Sequence, residues 1–449
     1  MGRQRFITGT GTLVRAPVAG GAPRELMENV RAADWSSGGA ELAVARRVEG
    51  RDRVEFPIGK TLHEAAAVSL LRVAPDGERV AFFAGPGAGS GDLLVGDRSG
   101  KTTVLSRGWQ ATLGLAWSPR GDEVWFGGSK GDIAPALYAA NLVGRERLIL
   151  QAPEALSLQD VSRDGRALVL SVKSRGNLAC LAPGEKEERE LGWHDSSWVE
   201  DLSADGRTVL FSETQGGGAP NGAVYVRRTD GSPAVRLGDG HAEGLSPDGT
   251  RALVRTSMRT PQLLLLPTRA GAPRALPGLG LESIVEADWI DDHRIVFSGR
   301  QSGKPQRVYV QDVDDGTIRP ITPEGTFILH NAPTPDGRFV TAVTGGKAVL
   351  YPVDGGEPKA IPHLAPEDTP IQWSADSRHL FVSRGGPVPV EIQRIDVTTG
   401  TRTPWRTLAP RDTVGVERIT PIVLTPDGRA HCYTYPRMLT DLFVVEGLR

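Results

Sequence analysis

The sequence predicts an all-β protein, a β-propeller of about ten four-stranded blades. Two observations carry that expectation. A short turn phrase recurs ten times at blade-length intervals, and a second, Gly-rich hairpin recurs between its copies.

The phrase is an apolar or Trp residue, then Ser or Thr, a variable residue, Asp and Gly. It reads Val73-Ala74-Pro75-Asp76-Gly77, Trp117-Ser118-Pro119-Arg120-Gly121, Val161-Ser162-Arg163-Asp164-Gly165 and Leu202-Ser203-Ala204-Asp205-Gly206. Further copies are Leu245-Ser246-Pro247-Asp248-Gly249, Pro333-Thr334-Pro335-Asp336-Gly337 and Leu424-Thr425-Pro426-Asp427-Gly428. Degenerate copies begin at Trp35, Trp289 and Trp373, and successive copies lie 38 to 51 residues apart. The chemistry is that of a tight turn between antiparallel strands. Pro fixes φ, Asp accepts a backbone N–H two residues on, and Gly takes a positive φ. Alternating apolar residues follow, as in Thr208-Val209-Leu210-Phe211, which is strand periodicity. The second hairpin spans Leu13 to Arg24, Leu263 to Arg274 and Val349 to Lys359. Two hairpins per repeat give the four strands of one blade.

Composition sets the outer limits. The chain has 449 residues, 39% of them hydrophobic, with 55 Gly and 33 Pro, which suits many turns and short strands. Its formal net charge of −2 supplies no basic field for nucleic acid, and no apolar run of about 20 residues suggests membrane insertion. Short Arg clusters, Arg46-Arg47 and Arg227-Arg228, read as solvated strand faces. Cys180 and Cys432 lie in separate strand-like apolar stretches and are expected as buried free thiols.

The ends bear on closure. A hairpin at 12–26 precedes the first phrase, and the strand Asp441 to Leu448 follows the last with no partner after it. The first segment is expected either to complete the last blade, removing exposed edges, or to mark a chain cut from something longer. Ten blades exceed the usual four to eight, so one wide ring and two lobes both stay open.

The Ser-Pro-Asp-Gly phrase followed by a strand resembles the WD40-like PD40 repeat of TolB and of the propellers of dipeptidyl-peptidase-IV-like and tricorn proteases. Phe56 to Lys60, Leu113 to Ser118, Thr229 to Leu237, Leu350 to Pro358 and Leu439 to Leu448 resemble the C-terminal propeller of bacterial eukaryotic-like serine/threonine protein kinases. That resemblance covers nearly the whole chain and implies a sensor or scaffold, in a family where a kinase domain precedes the propeller. The chain departs from the family at that domain: there is no Val-Ala-x-Lys strand, His-Arg-Asp loop or Asp-Phe-Gly. Kinase activity does not carry over.

Other catalytic and ligand motifs fall away on context. Gly127-Gly128-Ser129-Lys130-Gly131 matches a nucleophile elbow but sits after strand Glu123 to Phe126, with a further strand approach behind it. The Gly-rich run 85–91 leads into strand residues rather than a helix N-terminus. No two of the eight His sit at metal spacing, and Asp312, Asp314 and Asp315 lack the downstream Glu of a calcium loop. His194-Asp195, between Trp193 and Trp198, reads as a loop with satisfied side chains or as part of a ligand rim.

The sequence therefore predicts a non-catalytic binding module with no cofactor and no metal. Its partner would be a protein, peptide or glycan held on propeller loops or in the channel. The longest interval, Arg378 to Pro426, is the expected elaborated loop, with Trp405, Arg406 and Arg411 as candidate binding residues. The alternative is the regulatory half of a split kinase, with a kinase as partner. A propeller lyase or glycosidase is a third reading and would need converging carboxylates in the channel. The start Met1-Gly-Arg-Gln-Arg has no apolar signal region, so the expected location is cytoplasmic if Met1 is the true start and extracytoplasmic if the chain is truncated from a membrane kinase.

Overall fold

The computed structural model describes residues 9–131, 135–214, 222–256, 261–278, 280–384 and 388–448. Every regular element among them is a β-strand, arranged in antiparallel sheets of mostly four strands. The turn phrase behaves as its chemistry predicts, joining the innermost strand of a sheet to the next. Ser203 Oγ donates to Asp205 Oδ1 at 2.6 Å, Asp205 Oδ1 accepts the Arg207 N–H at 3.0 Å, and Gly206 takes φ +69°. Thr425 and Asp427 repeat the bond at 2.6 Å, with Gly428 at φ +66°. Ser377 stands in the glycine's place at φ +52°, a region that costs an L-residue about 1–2 kcal/mol.

The chain divides into two compact units, Met1–Lys173 with Leu439–Arg449, and Ser174–Met438. The boundary falls inside two 15-residue strands, Ala167–Leu181 and His431–Val445. In the first unit the innermost strands Arg24–Trp35, Ala67–Val73, Ala111–Trp117 and Ala155–Val161 touch in series. Gly114 meets Leu158 across a parallel bridge, at φ +79°. A Cβ there would lie 1.7 Å from the Leu158 carbonyl oxygen, so only glycine permits the approach. The N-terminal hairpin does not complete the last blade. Gly11–Arg15 pairs with Arg24–Trp35, whose second half pairs with Leu42–Val48, so the hairpin extends the first sheet. The 12-residue length of Arg24–Trp35 lets one strand serve both partners.

The second unit is a closed ring of six blades. Blades 1 to 5 are four-stranded sheets spanning 197–239, 241–275, 283–320, 326–360 and 368–408. Blade 6 is built from both ends of the unit: Ile422–Leu424 and the first part of His431–Val445 join the second part of Ala167–Leu181 and Arg189–Glu190. The innermost strands touch in the order Ile422–Leu424, Ser197–Leu202, His241–Leu245, Ser283–Trp289, Thr326–Pro333 and Asp368–Trp373, which returns to Ile422–Leu424. That cycle defines a β-propeller and removes the free inner edges. An apolar cluster fills each junction. Ile290, Val296 and Val310 of blade 3 meet Ile328, Val340 and Tyr351 of blade 4, all buried.

The cysteines are not free. Cys180 and Cys432 form a disulfide, fully buried, with Cα atoms 4.1 Å apart and a sequence separation of 252. Ring closure creates the pairing: one cysteine lies on the first strand of the unit and the other on its last, side by side in blade 6. Cross-linking so distant a pair removes much of the unfolded chain's freedom. Replacing both with Ser should lower unfolding stability by about 2–5 kcal/mol, and reductant should lower it only in the native protein. Chemical denaturation with and without reductant measures both; equal stability of the two proteins would contradict the pairing.

Candidate functional site: the acidic axis of the second unit

The innermost strands of blades 1 to 3 carry acidic groups just before the turn phrase, and that of blade 4 carries a histidine. Glu200 and Asp201 lie on Ser197–Leu202, Glu243 on His241–Leu245, Glu286 and Asp288 on Ser283–Trp289, and His330 on Thr326–Pro333. Each strand breaks its register there. Pairing skips Glu200 between Val199 and Asp201, skips Glu243 between Ala242 and Gly244, and skips Val285 between Ile284 and Glu286. The skip in blade 4 is longer, from Ile328 to Pro333, with Asn331 at φ +53° beside His330. Such bulges re-aim side chains. Glu200 and His330 influence one another electrostatically although their blades are three apart in a ring of six, so both face the axis.

The electrostatics follow from crowding in a narrow space. Most of these groups are half-buried and Glu243 is 5% exposed, so protein surrounds most of each side chain. Burial, with some opposition from Arg255, pushes the Glu243 carboxyl up to about 7. Burial and the neighbouring Asp201 push Asp288 to about 7 as well. Burial also raises Asp201, and raises Glu200 well above the carboxylate range. His330 rises too, but toward its charged form. Burial opposes its charge, but Glu286, with Glu200 and Asp288 behind it, holds the imidazolium to about 10. His330 Nδ1 faces Glu286 Oε1 at 3.2 Å, and Arg255 Nε donates to Glu243 Oε1 at 2.7 Å. The enclosed His330 Nε2 has no hydrogen-bond partner among the described residues.

Two of the same carboxylates hold neighbouring blades together. Asp201 Oδ2 accepts the Leu245 N–H at 2.8 Å, and Glu243 Oε2 accepts the Ala287 N–H at 2.9 Å. Asp288 Oδ1 accepts the Trp289 N–H at 2.7 Å.

The residues chosen from sequence lie elsewhere. Trp405 and Arg406 are not in a loop. They sit on Arg402–Leu408, the outermost strand of blade 5, because the interval Arg378 to Pro426 contains three strands of that blade. Both face blade 6. Trp405 packs edge-on to Phe381 at 5.2 Å and to His431 at 6.0 Å, and Arg406 lies 3.1 Å from His431 Nδ1. Arginine only donates, so Nδ1 accepts and His431 Nε2 donates to Glu188 Oε1 at 2.8 Å. Arg411 does lie in the connection 409–421, where it pairs with exposed Glu187 at 2.5 Å. His194-Asp195 is anchored by Glu213, which accepts the His194 N–H at 3.1 Å. Asp312 Oδ1 accepts the N–H groups of Asp314 and Asp315 and so closes a turn. Ser129 ends strand Glu123–Ser129, and the chain goes on to strand Ala136–Asn141, not to a helix; Asp132 to Ala134 lie outside the described residues. Sequence reasoning missed the axis. The available signal was an acidic residue one to three positions before the phrase in three consecutive repeats: Glu200-Asp201, Glu243 and Glu286-Ala287-Asp288.

Fold and site together define a closed six-bladed propeller with an acidic axis. No family model matches the chain, and no curated protein matches it. Solved structures similar to it include a putative TolB from Agrobacterium tumefaciens, with 19% identity over 59% of this chain and 99% of that one, at a TM-score of 0.43. TolB from Acinetobacter baumannii shows 14% identity over 81% and 66% of the two chains, at 0.27. A puromycin-hydrolyzing peptidase of Mycobacterium tuberculosis shows 18% over 69% and 55%, at 0.39. This chain thus spans 66% and 55% of the latter two. The fold assignment rests on the closed cycle of inner strands, not on these likenesses.

A raised carboxyl pKa favours folding at low pH, because the folded state holds its proton where the unfolded state has lost it. The Glu243 and Asp288 contributions are therefore greatest below about pH 4, fall as pH rises to about 7 and then level off. Asp288→Asn keeps the acceptor for Trp289 and removes the charge. Its stability advantage over the native protein should grow from pH 4 to 7 and then hold steady in thermal melts; an advantage independent of pH would contradict the assignment.

Proposed function

We propose that the chain is a binding module whose second unit takes a protein or peptide segment into its channel. One observation carries this: acidic groups and a histidine from four consecutive blades converge across the axis of a rigid ring. Function in propellers is grafted onto a scaffold, and the ring pre-organises this cluster before any ligand arrives. The reading moves the expected site from the blade 5 interval to the channel.

A sensor role beside a kinase is the finer form of this proposal and rests on the sequence resemblance. A kinase gene next to this one would support it. A glycosidase or lyase is favoured by Glu243 and Asp288, whose raised pKa suits proton donation near neutral pH. Against it, each of these carboxylates already accepts a backbone N–H. No helix among the described residues is long and apolar enough to cross a membrane. The disulfide supports the extracytoplasmic of the two placements.

The channel and loop readings separate on a peptide array. A channel variant combining Glu200→Gln, Glu243→Gln and Asp288→Asn should lose the array pattern of the native protein, while Arg411→Ala should keep it. The opposite result would move the site to the loop and overturn the proposal.

A further inference from the structure

The junction between blades 2 and 3 of the second unit is underfilled. A cavity of about 280 Å³ opens there, lined by Leu263 of blade 2, by Ile284, Phe297, Gln311 and Ile318 of blade 3, and by Leu281 on the connection between the two blades. Gln311 and Ile318 lie on the third and outermost strands of blade 3, so the cavity sits between blades and not on the axis.

The first unit contains the same junction filled. Gly128 pairs with Thr112 and Ala136, and Gly299 holds the same register position between Ile284 and Arg307. Two residues before each glycine stands a Phe stacked on a Tyr: Phe126 on Tyr138 at 6.1 Å, and Phe297 on Tyr309 at 5.6 Å. The residue three before Thr112 is Trp109, and the residue three before Ile284 is Leu281. Each covers its glycine, for a Cβ at Gly128 would lie 2.8 Å from the Trp109 ring and one at Gly299 2.5 Å from Leu281 Cδ1. Trp109 is buried, packs edge-on to Phe126 and to Tyr138 at 4.8 Å each, and its Nε1 donates to Ser106 Oγ at 2.6 Å. Leu281 is smaller and half-buried, and among the described residues no third ring packs on Phe297 and Tyr309. A second difference supplies polarity. Ala140 lies across from Val124 in the filled junction, and Gln311 takes that position across from Ile295. Gln311 is 1% exposed; its Nε2 donates to the Pro277 carbonyl at 2.9 Å, and its Oε1 accepts no hydrogen bond among the described residues. The cavity thus offers apolar walls, the edge of a stacked aromatic pair and one acceptor.

We propose that this cavity binds an aromatic ring of indole size that carries an N–H. The ring lies against Phe297 in the place that Trp109 holds in the first unit, and its N–H donates to Gln311 Oε1. Apolar cavities of this kind take up aromatic ligands, and one placed polar group fixes their orientation. The ring belongs to a small free molecule or to a tryptophan side chain; the chemistry is shared. The site is separate from the channel and does not rest on the channel reading.

The test titrates the full chain by ligand-observed NMR with indole, with 1-methylindole, which lacks the N–H, and with cyclohexanol, which lacks the ring. Indole should bind about tenfold more tightly than either. N-acetyl-tryptophanamide binding more tightly than indole names a side chain as the source, and binding more weakly names a free molecule. Leu281→Trp supplies the ring from the chain itself, so it should abolish indole binding and raise the melting temperature. Gln311→Leu should bring indole down to the affinity of 1-methylindole and leave 1-methylindole unchanged; it decides the question if Leu281→Trp does not fold. Absence of indole binding to the native protein, indole affinity equal to that of 1-methylindole or cyclohexanol, or indole binding untouched in a folded variant would overturn the proposal. The peptide array reports on the channel alone, so the two readings fail separately.

Discussion

Neighbouring blades of a propeller share no backbone ladder, so the junctions are made mostly by side chains. In the second unit the N–H groups at the inner edge find partners on the blade before. Val199 donates to Thr434 Oγ1 at 2.8 Å, Ala242 to Ser212 Oγ at 2.9 Å, Ala287 to Glu243 Oε2 at 2.9 Å and Ile328 to Ser298 Oγ at 2.8 Å. Asn331 Nδ2 donates to the Ile371 carbonyl at 3.2 Å, and the Ala375 N–H to that of Pro426 at 3.0 Å, which completes the circuit of six junctions. A buried N–H without a partner costs about 1–3 kcal/mol, so these bonds fix which blade lies next to which. The first unit uses the same device: Asp52 accepts the Val68 N–H at 2.9 Å, and Asp34 that of Val73 at 2.8 Å.

Stitching places two of the carboxylates at the axis. Asp201 and Glu243 are acceptors for the next blade and also crowd other carboxyls, Asp201 raising Asp288 and Glu286 raising Glu243. A neutral acceptor such as Ser212 or Ser298 does the first job without charge, so carboxylates at these positions are an electrostatic cost that the fold does not require. Backbone bonds from the next blade hold the Asp201 and Glu243 carboxylates in place. Blade 6 completes the ring with strands from both ends of the unit, fastened by the disulfide and by Glu188, which takes bonds from His431 at 2.8 Å and Tyr433 at 2.6 Å.

The blades were legible because their turns are local. Ser or Thr, Asp and Gly within five residues encode the hairpin, and Ser203 to Gly206 folds as those residues dictate. The Leu263 to Arg274 hairpin likewise appears as Leu263–Pro267 paired with Arg274–Ala275. Closure was not legible, since it depends on which strands meet over long sequence distances. Nothing near Cys180 indicates that Cys432 lies beside it, and the N-terminal hairpin offers a partner no worse by sequence than Arg189–Glu190. The axis was hidden for a different reason. Bulges at Glu200 and Glu243 change the facing of single residues, and strand periodicity carries no signal for a bulge. Trp405 and Arg406 were misplaced because aromatic and arginine residues suit a blade junction as well as an interface, and interval length alone made a loop of what is mostly strand.

Amide hydrogen exchange along the innermost strands tests the stitching most directly. The N–H groups of Val199, Ala242, Ala287 and Ile328 have side-chain acceptors on the preceding blade, so they should exchange as slowly as the ladder amides of the middle strands. Ser212→Ala should speed exchange at Ala242 while the middle strand Thr208–Glu213 stays protected. Fast exchange at all four amides in the native protein, with the middle strands still protected, would contradict the account.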